Sequence, residues 1–582
     1  MGTISDKLMR IINTKEDIRQ ALISKGYDVP TSIPFKEYAK MISDLPCRVD
    51  SFPDIEGIVA RYSALGLTNE QMAENLVWKD LTDNGHDLQM KNLAWKGMSG
   101  VGGYVGDFSK WVNNRDTTEI GITKSNSKVI IDVKVSQGSG KNIVFISKSN
   151  LGISNNVTIK ITSTYPEGVM KFANSASNKY LKLPSNGIIT LQDNPEYTSN
   201  EMHLHLASAD LGQITIEQLP LYPGALVFDG VDDCGVCENF PISTKEKGYT
   251  VVVLRQWDQD FLNTTLTGGL LSTRNYSTGE GVAFEKIESS NKGYWNLGAG
   301  GIIDFAKSSF TWQTSKQYNN VGILKGDKNH GKPLCVGCGL SGGQQCGRFA
   351  IWELVFLDHD ATEEELTKIK DYFVKTYPWL FPDQAWTVVG KTNEDEDRAT
   401  IANITGNGND LVLSNFGFAE GSGYNEEGEY AGYLVTDGVD DKIISSIFKM
   451  GNDWTVIGDW ELINTGKNDN AGIVKFDSIV IYNYNYNYNS ILINIKNGRN
   501  ILIPDQNTVN AICSDGRIYS KDWKGSIYNE ETESTSKNFL TIGYSGNAYT
   551  KIAFKNLAIY PTVLSREDCI KAYNYLQTLK AK

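Results

Sequence analysis

The peptide LVFDGVDD occupies Leu226–Asp233 of the 582-residue chain, and LVTDGVDD, which differs from it at one position, occupies Leu434–Asp441. The two copies lie 208 residues apart. Asp-Gly between two runs of alternating residues is a strong signal for a β-hairpin. Because self-similarity at a fixed period reports a repeated architecture, the octapeptide predicts two related β domains that share this hairpin.

The similarity extends on both sides of the octapeptide. Upstream, WKDLTDNGHDLQMKNL (78–93) parallels IANITGNGNDLVLSNF (401–416), and each contains an Asn-Gly turn before an alternating strand. Downstream, each copy has a closing strand and then a helix, predicted to begin with a capping box at Thr362 with Glu365 and at Ser565 with Asp568. One unit is therefore predicted to contain a turn and strand, the hairpin, several more strands and a C-terminal helix.

The two copies differ in the distance between the Asn-Gly glycine and the Asp-Gly aspartate. It is 144 residues in the first copy (Gly85 to Asp229) and 29 in the second (Gly408 to Asp437), a difference of 115. A structureless loop of that length is implausible within a compact domain. The excess contains short β-branched segments separated by Ser, Asn and Gly, which is typical of a small β-sandwich. We therefore predict an inserted domain.

The first 50 residues have a different pattern, that of short amphipathic helices. Thr14 and Asp17 can cap one helix that ends at Gly26, and a second helix begins around 32–34. Helices of this length are marginal in water by themselves. We therefore expect this leader to pack on another subunit or on a particle, through Ile11, Ile18, Leu22, Phe35, Tyr38 and Ile42.

The FDGVDD hairpin, the closing strand and the helix ATEEELTKIKDYF resemble those of the laminin-G and concanavalin-A-like jelly-roll domains. The resemblance implies a mainly β fold with two jelly-roll sandwiches, a small inserted β-sandwich and a short α-helical leader. The implied domains are a leader over 1–50, a first jelly roll over 51–100 plus 221–382, an insertion over 101–220, and a second jelly roll over 383–582.

The leader IINTKEDIRQALISKGYDVPTSIPFKEYAKMI and the segment ITIEQLPLYPGALVFDGVDD resemble head- and tail-fibre proteins of tailed phages of Bacteroidetes, including the crAss-like group. The resemblance implies a structural virion protein that decorates a capsid or tail. It further implies a homodimer or homotrimer whose partners are capsid, fibre or tail proteins, and β domains that bind host or mucosal glycans during attachment.

Composition narrows the classes of function. The net charge of −13 argues against a nucleic-acid-binding protein, which needs a basic face. No apolar run is long enough for a membrane span, and the N-terminal residues lack the apolar core of a signal peptide. We therefore expect a protein that is made and retained in the cytoplasm or released by cell lysis, and the resemblance to phage fibre proteins implies a location in the virion. The 8 cysteines are few for this length, and we expect most to be free thiols.

Two groups of residues suggest metal sites, although no metal or other cofactor is expected. Two C-x-x-C pairs could supply four thiolates for zinc, but strand alternation would point cysteines three apart to opposite faces, so free thiols are the alternative. Paired aspartates could ligate calcium, although the hairpin turn already explains Asp-Gly. The zinc candidates are Cys234, Cys237, Cys335 and Cys338, and the calcium candidates are Asp232, Asp233, Asp440 and Asp441.

The segment IYNYNYNYNS (481–490) is a candidate carbohydrate-binding strand. Strict alternation places tyrosines on one face and asparagines on the other. Aromatic rings could stack on sugars, or the tyrosines could instead pack on the core while the asparagines face water. The candidate binding residues are Tyr482, Tyr484, Tyr486 and Tyr488.

No catalytic constellation is apparent. GLSGG (339–343) matches the G-x-S-x-G motif of a nucleophile elbow, but it is followed by a predicted strand instead of the helix that the motif requires. EDED (394–397) is a contiguous charge run without the opposed carboxylates of a glycosidase. We therefore expect a non-enzymatic virion protein, with a non-viral bacterial surface carbohydrate-binding protein and a glycan-degrading enzyme as alternatives.

Overall fold

A computed structural model describes residues 15 and 19 and most of 52–581. Its gaps are 112–117, 138, 148–156, 167, 175–179, 192–200, 209, 242–248, 263, 265, 267, 274–282, 288–291, 296–300, 305–320, 327–332, 341–343, 360, 428–429, 447, 450, 464–471, 477–478, 485–489, 496–498, 504–508, 521–524, 528–536, 539, 543 and 546–547. The described chain is mainly β, which confirms the predicted fold class. No helix in these ranges is long and apolar enough to span a membrane.

The strands follow one another along the chain in three groups. Up to the end of the insertion they are β1 (Ile58–Ser63), β2 (Val77–Trp78), β3 (Leu88–Lys91), β4 (Gly100–Val101), β5 (Ile120–Lys124), β6 (Lys128–Val133), β7 (Ser139–Ser147), β8 (Val157–Ser163), β9 (Met170–Asn174), β10 (Tyr180–Lys182), β11 (Asn186–Leu191), β12 (Glu201–Ser208) and β13 (Gly212–Gln218). The next group is β14 (Leu226–Asp229), β15 (Cys234–Cys237), β16 (Tyr249–Trp257), β17 (Gly268–Ser272), β18 (Ala283–Ile287), β19 (Lys292–Trp295), β20 (Gly301–Asp304), β21 (Val321–Gly326), β22 (Leu334–Val336), β23 (Cys338–Leu340), β24 (Gln344–Cys346) and β25 (Arg348–Leu357). The last group is β26 (Gln384–Thr387), β27 (Thr400–Ile401), β28 (Leu411–Ser414), β29 (Gly423–Asn425), β30 (Tyr433–Val435), β31 (Lys442–Ser445), β32 (Phe448–Lys449), β33 (Thr455–Leu462), β34 (Gly472–Phe476), β35 (Ile479–Tyr484), β36 (Ser490–Ile495), β37 (Arg499–Ile503), β38 (Val509–Cys513), β39 (Arg517–Ser520), β40 (Gly525–Ile527), β41 (Lys537–Asn538), β42 (Thr541–Ile542), β43 (Tyr544–Ser545), β44 (Ala548–Tyr549) and β45 (Ile552–Tyr560).

The helices are few and short by comparison. They are α1 (Asn69–Asn75), α2 (Gln259–Leu262), α3 (Glu363–Thr376) and α4 (Arg566–Gln577), with 3-10 turns at Phe108–Lys110 and Pro378–Leu380. The predicted capping box is complete on α3, where Thr362 and Glu365 bond to each other's backbone N–H groups. On α4, the Ser565 hydroxyl accepts a bond from the Asp568 N–H.

Two sandwiches have the same strand order. In each, a sheet that carries the C-terminal helix (the helix sheet) faces a broader sheet (the wide sheet). The helix sheets run β21-β16-β25-β14-β4, with β1 on β25, and β38-β33-β45-β30-β29, with β26 on β45 and β39-β40 beyond β38. The wide sheets run β2-β3-β15-β22-β17-β18-β19-β20 and β27-β28-β31-β42-β34-β35-β36-β37. The strands of these sheets therefore correspond, apart from β39 and β40, which extend the second helix sheet.

Irregular features repeat as well. A bulge follows Leu254 in β16, which is paired with Glu353 of the central strand β25. The equivalent bulge follows Asp459 in β33, which is paired with Asn556 of the central strand β45. A second bulge follows Gly269 in β17 and Gly472 in β34. Bulges redirect strands at fixed positions. Their duplication shows that the two copies correspond residue by residue.

The described strands between Ile120 and Gln218 pair only with one another. They form a four-stranded sheet, β10-β9-β12-β7, and a five-stranded sheet, β11-β8-β13-β6-β5. Their apolar side chains form a separate core that includes Trp111, Ile131 and Leu204. Domain boundaries at 101, 220 and 383 stay predictions.

The repeated octapeptide is not a hairpin, and the prediction was wrong on this point. β14 belongs to the helix sheet, whereas β15 belongs to the wide sheet, and the same holds for β30 and β31. The peptide is therefore a corner between two sheets, which we call the Asp-Gly corner. Gly230 has φ +80° and Gly438 has φ +74°, and this left-handed conformation favours glycine. An Asp-Gly pair predicts a turn, but it does not show whether the turn joins two strands of one sheet or strands of two different sheets.

The helices bring the two sandwiches together. Each sandwich has its own core between its sheets. A further apolar cluster, here called the joint core, combines the outer faces of both helix sheets with α3, α4 and the turn at 378–380. The central strands β25 and β45 are consequently buried along nearly their whole length, because both of their faces are covered.

A buried ion pair lies beneath α3 in the first sandwich, and the second sandwich has one at other positions, where Lys555 Nζ lies 3.8 Å from Asp459. Glu353 is wholly buried, and its carboxylate lies 3.3 Å from Arg61 Nε and accepts a 2.8 Å hydrogen bond from the Tyr377 hydroxyl. Burial raises the pKa of Glu353, and Arg61 opposes that rise. The corresponding residues of the second sandwich, by strand register, are Asn556 and Ala385.

Candidate functional site

The two Asp-Gly corners each gather three carboxyl groups. The clusters are Asp229, Asp232 and Asp233 in the first sandwich and Asp437, Asp440 and Asp441 in the second, with ligand atoms within 4.8 Å of one another. This places the four predicted calcium candidates in two equivalent clusters and adds one aspartate to each.

The hydrogen bonds of the corner give these carboxylates a structural role. Asp229 Oδ1 accepts a bond from the Val231 N–H at 2.8 Å, and Asp233 Oδ2 accepts one from the Asp229 N–H at 2.9 Å. The Ser99 hydroxyl donates to Asp233 Oδ1 at 2.9 Å. The second corner has the same two bonds. The Val439 N–H donates to Asp437 Oδ1 at 2.7 Å, and the Asp437 N–H donates to Asp441 Oδ2 at 2.8 Å. The octapeptide occurs in both sandwiches because its aspartates accept hydrogen bonds from backbone N–H groups of the corner itself.

Burial changes the acidity of the inner carboxyl of each corner. Burial raises the pKa of Asp233 to about 7 and that of Asp441 to about 6, and neighbouring aspartates add to the rise. Calcium binding at these corners stays a prediction.

The structure does not bring the four candidate zinc ligands together, because Cys237 lies apart from the other three. Cys237 belongs to the core between the sheets, whereas Cys234 lies in a separate buried cluster on the opposite face of β15. Cys338 is disulfide-bonded to Cys346. The expectation that Cys335 and Cys338 point to opposite faces is also wrong, because both lie in the cluster of Cys234.

The candidate tyrosine strand is described as far as Tyr484. Tyr482 and Tyr484 lie in β35, opposite Leu492 and Ser490 of β36. Tyr486 and Tyr488 lie outside the described residues. β35 is a strand of the wide sheet, between β34 and β36.

Strand register assigns the face on which these tyrosine positions lie. Ile443 and Ile542 are paired and are fully buried in the core between the sheets. Ile542 is paired with Val474, and Val474 with Ile481. Directly paired residues share a face of a sheet, so position 481 lies on the inner face, towards the core. Positions 482 and 484 therefore lie on the outer face.

The neighbouring strands have the same division. Positions of the inner face on β35 to β37 are occupied by Ile479, Ile481, Asn483, Ile491, Ile493, Ile495, Arg499, Ile501 and Ile503, so isoleucine holds all but Asn483 and Arg499. The outer face, here called the Tyr face, carries Val480, Tyr482, Tyr484, Ser490, Leu492, Asn494, Asn500 and Leu502. An isoleucine-rich face is typical of a core, whereas a face that mixes tyrosine, asparagine and serine with three aliphatic residues is more typical of a surface. This arrangement is opposite to the one in which the tyrosines pack on the core.

The first sandwich has Glu285 and Ile287 at the positions that match Tyr482 and Tyr484, and it has Tyr294 on the same face, paired with Glu285. Gly269 is paired with Glu285 before the bulge of β17, as Gly472 is paired with Tyr482 before the bulge of β34. Glu285 therefore corresponds to Tyr482, and Ile287 to Tyr484. The wide sheets share their topology but differ in the chemistry of this face.

The attachment residues of the leader, Ile11, Ile18, Leu22, Phe35, Tyr38 and Ile42, lie outside the described residues. Lys15 and Arg19 are described, and both are helical. Attachment through the leader stays a prediction.

Sequence reasoning missed the disulfide between Cys346 and Cys338 and the asparagines of β36 and β37. Cys346 lies eight residues from Cys338, and its role depends on a two-stranded hairpin that spacing alone does not show. The asparagines could have been found, because SILINI and RNILI alternate with the same period as the tyrosine segment.

No family model matches the chain, and no curated protein matches it. Solved structures give low similarity. The binding domain of botulinum neurotoxin serotype D has 12% identity and a TM-score of 0.23, over 60% of this chain and 89% of that one. The serotype D ligand binding domain in complex with N-acetylneuraminic acid has 11% identity and a TM-score of 0.24, over 69% and 97%. Trypanosoma rangeli sialidase in complex with sialic acid has 9% identity and a TM-score of 0.25, over 79% and 85%. At such TM-scores these similarities carry no argument about function.

Proposed function

We propose that this chain is a non-catalytic glycan-binding protein of a tailed-phage particle and that it binds glycan through the Tyr face of its second sandwich. The glycan-binding part is supported by the position of Tyr482 and Tyr484. The virion part is supported by the resemblance of the leader and of the segment before the first corner to phage fibre proteins.

The observation that carries the binding proposal is the register from Ile542 through Val474 to Ile481. Because isoleucines occupy most inner-face positions, the tyrosine positions are not on the face that is directed to the core. Tyrosine rings offer flat apolar surfaces for sugar rings, and their hydroxyl groups can bond to water or ligand. Packing of the core therefore does not explain why tyrosines occupy positions of the outer face.

The polar residues of the Tyr face suit the same ligand. Asn494 is paired with Asn500, and Ser490 with Tyr484, so amide and hydroxyl groups flank the aromatic positions. Amides both donate and accept hydrogen bonds, as sugar hydroxyls do. A neutral oligosaccharide fits this composition better than an anionic or strongly apolar ligand.

The described acidic groups support a protein without hydrolytic activity. In the EDED run, Asp395 accepts hydrogen bonds from Thr392, and Asp397 lies 2.6 Å from Lys391 Nζ. The corner aspartates bind their own backbone. These carboxylates have local structural partners, and a glycosidase requires two that face a substrate.

Binding to an oligosaccharide array, followed by titration calorimetry with the best oligosaccharide, tests the proposal. The full chain is compared with Tyr482→Ala/Tyr484→Ala and with Glu285→Ala, which changes the matching position of the first sandwich. We expect the double variant to bind at least about tenfold more weakly, since a lost aromatic contact costs more than 1 kcal/mol. We expect Glu285→Ala to bind like the wild type. Equal binding by all three proteins would overturn the assignment of the site.

The location is tested separately. Antibody labelling of purified phage particles in the electron microscope should show this protein on the particle surface. A chain that lacks residues 1–50 should bind oligosaccharide normally but should be missing from particles. Labelling of bacterial envelopes in uninfected cells would favour a bacterial surface protein with the same binding face.

A further inference from the structure

Four cysteines of the first sandwich form one buried cluster. Cys234, Cys335, Cys338 and Cys346 lie together with Val236, and none is more than 5% exposed. Cys234 and Val236 are on the outer face of β15, because Gly235 between them faces Met90 of the core between the sheets. Cys335 is paired with Val236 and so shares that outer face. The β23–β24 hairpin brings in Cys338 and Cys346.

A break in the strand makes this grouping possible. Gly337 has φ +103° and separates β22 from β23, and its N–H donates to the Leu270 carbonyl at 2.8 Å. A regular strand would alternate, whereas this left-handed glycine returns Cys338 to the side of Cys335. The result is a C-x-x-C pair whose two sulfurs face one pocket.

The fold itself does not require cysteine at these four positions. The second sandwich has the same strands, and by register its residues there are Lys442, Thr541, Tyr544 and Tyr549. Tyr544 is paired with Tyr549 as Cys338 is paired with Cys346. Four sulfurs at one point of one copy, and none at the same point of the other, indicate a chemical purpose.

Two of the four cysteines in the cluster are oxidised, and the other two are reduced. Cys338 and Cys346 form a disulfide, whereas Cys234 and Cys335 are bonded to each other through a thiol hydrogen bond. Cys338 Sγ lies 3.3 Å from the main-chain oxygen of Asp233. A thiol could donate a hydrogen bond over that distance, but a disulfide sulfur has no proton to donate.

We propose that Cys234, Cys335, Cys338 and Cys346, once reduced, bind one Zn²⁺ ion as four thiolates, and that oxidation of Cys338 and Cys346 releases it. Four-cysteine sites are the commonest purely sulfur environment of structural zinc, and a C-x-x-C pair is a usual part of them. The set differs from the one expected from sequence, since Cys346 replaces Cys237.

Both steps balance. Two molecules of a small thiol reductant give two electrons and two protons to the Cys338–Cys346 disulfide, which yields two protein thiols and one small-molecule disulfide. Zn²⁺ then binds the four thiolates as their protons leave to solvent. In the reverse direction, a small-molecule disulfide oxidises Cys338 and Cys346, which removes two of the four ligands.

Lys91 is paired with Cys234, and Asp232 and Asp233 directly precede that cysteine, so the charged neighbours of the cluster are of both signs. A zinc ion supplies the positive charge that four thiolates otherwise lack.

Metal analysis of the full chain tests this proposal. Protein reduced with an excess of a phosphine or dithiol, incubated with Zn²⁺ and desalted without oxygen, should retain about one zinc per chain by mass spectrometry of the metal. Treatment with oxidised glutathione should release nearly all of it. Co²⁺ in place of Zn²⁺ should give the intense visible bands of a tetrahedral thiolate site.

The second sandwich suggests the substitutions, since it has other residues at the matching positions. Cys335→Thr and Cys338→Tyr introduce the matching residues, and each should abolish zinc retention and the cobalt bands while circular dichroism stays unchanged. Cys237→Ser, on the other face of β15, and Cys513→Ser should retain the metal. Absence of zinc and cobalt binding by the reduced wild type would overturn the proposal. So would equal loss of metal in Cys237→Ser.

Discussion

The two sandwiches share the strand order of their paired sheets, their bulges and the Asp-Gly corner, yet they differ in several groups of side chains. The first has a buried ion pair at Arg61 and Glu353 and a cluster of four cysteines. The second has the Tyr face. Features present in both copies are those that the fold requires. Features present in one copy are not required by the fold and can have a binding function. The proposed glycan and zinc sites are both of this kind.

The comparison also shows where the copies depend on each other. Trp379, at the turn between them, is 1% exposed in the joint core, and its carbonyl accepts a 3.0 Å bond from the Tyr560 hydroxyl. Lys571 Nζ lies 4.4 Å from its ring centroid.

Trp379→Ala should have the largest effect on stability. Removing a buried tryptophan costs about 3–5 kcal/mol, and because both sandwiches share this core we expect both to lose stability. Guanidinium unfolding followed by tryptophan fluorescence and by circular dichroism measures the loss. Trp379→Phe, which keeps part of the ring contact, should lose less. If only one of two resolved transitions moves, the joint core does not couple the sandwiches.

The ion pair provides the next test. Arg61→Ala leaves Glu353 buried without its cation, which should cost about 3 kcal/mol or more. Arg61→Ala/Glu353→Asn installs the residues of the second sandwich and removes the uncompensated charge. We therefore expect the double variant to be more stable than Arg61→Ala in urea unfolding. A double variant that is less stable than the single one would contradict the correspondence between the copies.

The corners predict a dependence of stability on pH. The pKa of Asp233 is about 7 and that of Asp441 about 6 in the folded protein, against 3.8 for an unperturbed Asp. Between about pH 4 and 7 the folded protein holds protons that the unfolded chain has released. The free energy of unfolding should therefore fall as pH rises through this window, by up to about 1.4 kcal/mol per pH unit for each carboxyl, and level off above it.

Variants distinguish the two corners in this titration. Asp233→Asn should flatten the slope up to about pH 7, whereas Asp441→Asn should flatten it only up to about pH 6. Unfolding in urea at half-unit pH steps measures both slopes. Identical profiles for the two variants and the wild type would show that the corner carboxyls do not titrate in this range.

The helix caps should give the smallest effect. Thr362→Ala removes the hydroxyl that accepts from the Glu365 N–H and should cost about 1 kcal/mol. Ser565→Ala should cost a similar amount at α4. Thermal unfolding of both variants beside Thr367→Ala, which lies within α3, measures the difference. A Thr362→Ala protein as stable as the wild type would show that the cap contributes nothing.

The sequence predicted the features that depend on local order. The repeat, the mainly β class and the cap at Thr362 all follow from residue spacing. The Asp-Gly corner was mistaken for a hairpin because the turn residues are the same, and only pairing with β25 or β22 separates the two. The face of Tyr482 depends on a register that runs across four strands. The joint core could not be predicted, because it depends on how two distant helices pack.

The central claim is that the Tyr face of the second sandwich binds glycan, and a reciprocal exchange tests it most directly. Tyr482→Glu gives the second sandwich the residue of the first, and Glu285→Tyr gives the first the residue of the second. Calorimetric titration with the oligosaccharide selected on the array should show at least about tenfold weaker binding for Tyr482→Glu. It should show unchanged or stronger binding for Glu285→Tyr. Unchanged affinity in Tyr482→Glu, in a protein with a wild-type unfolding profile, would contradict the claim.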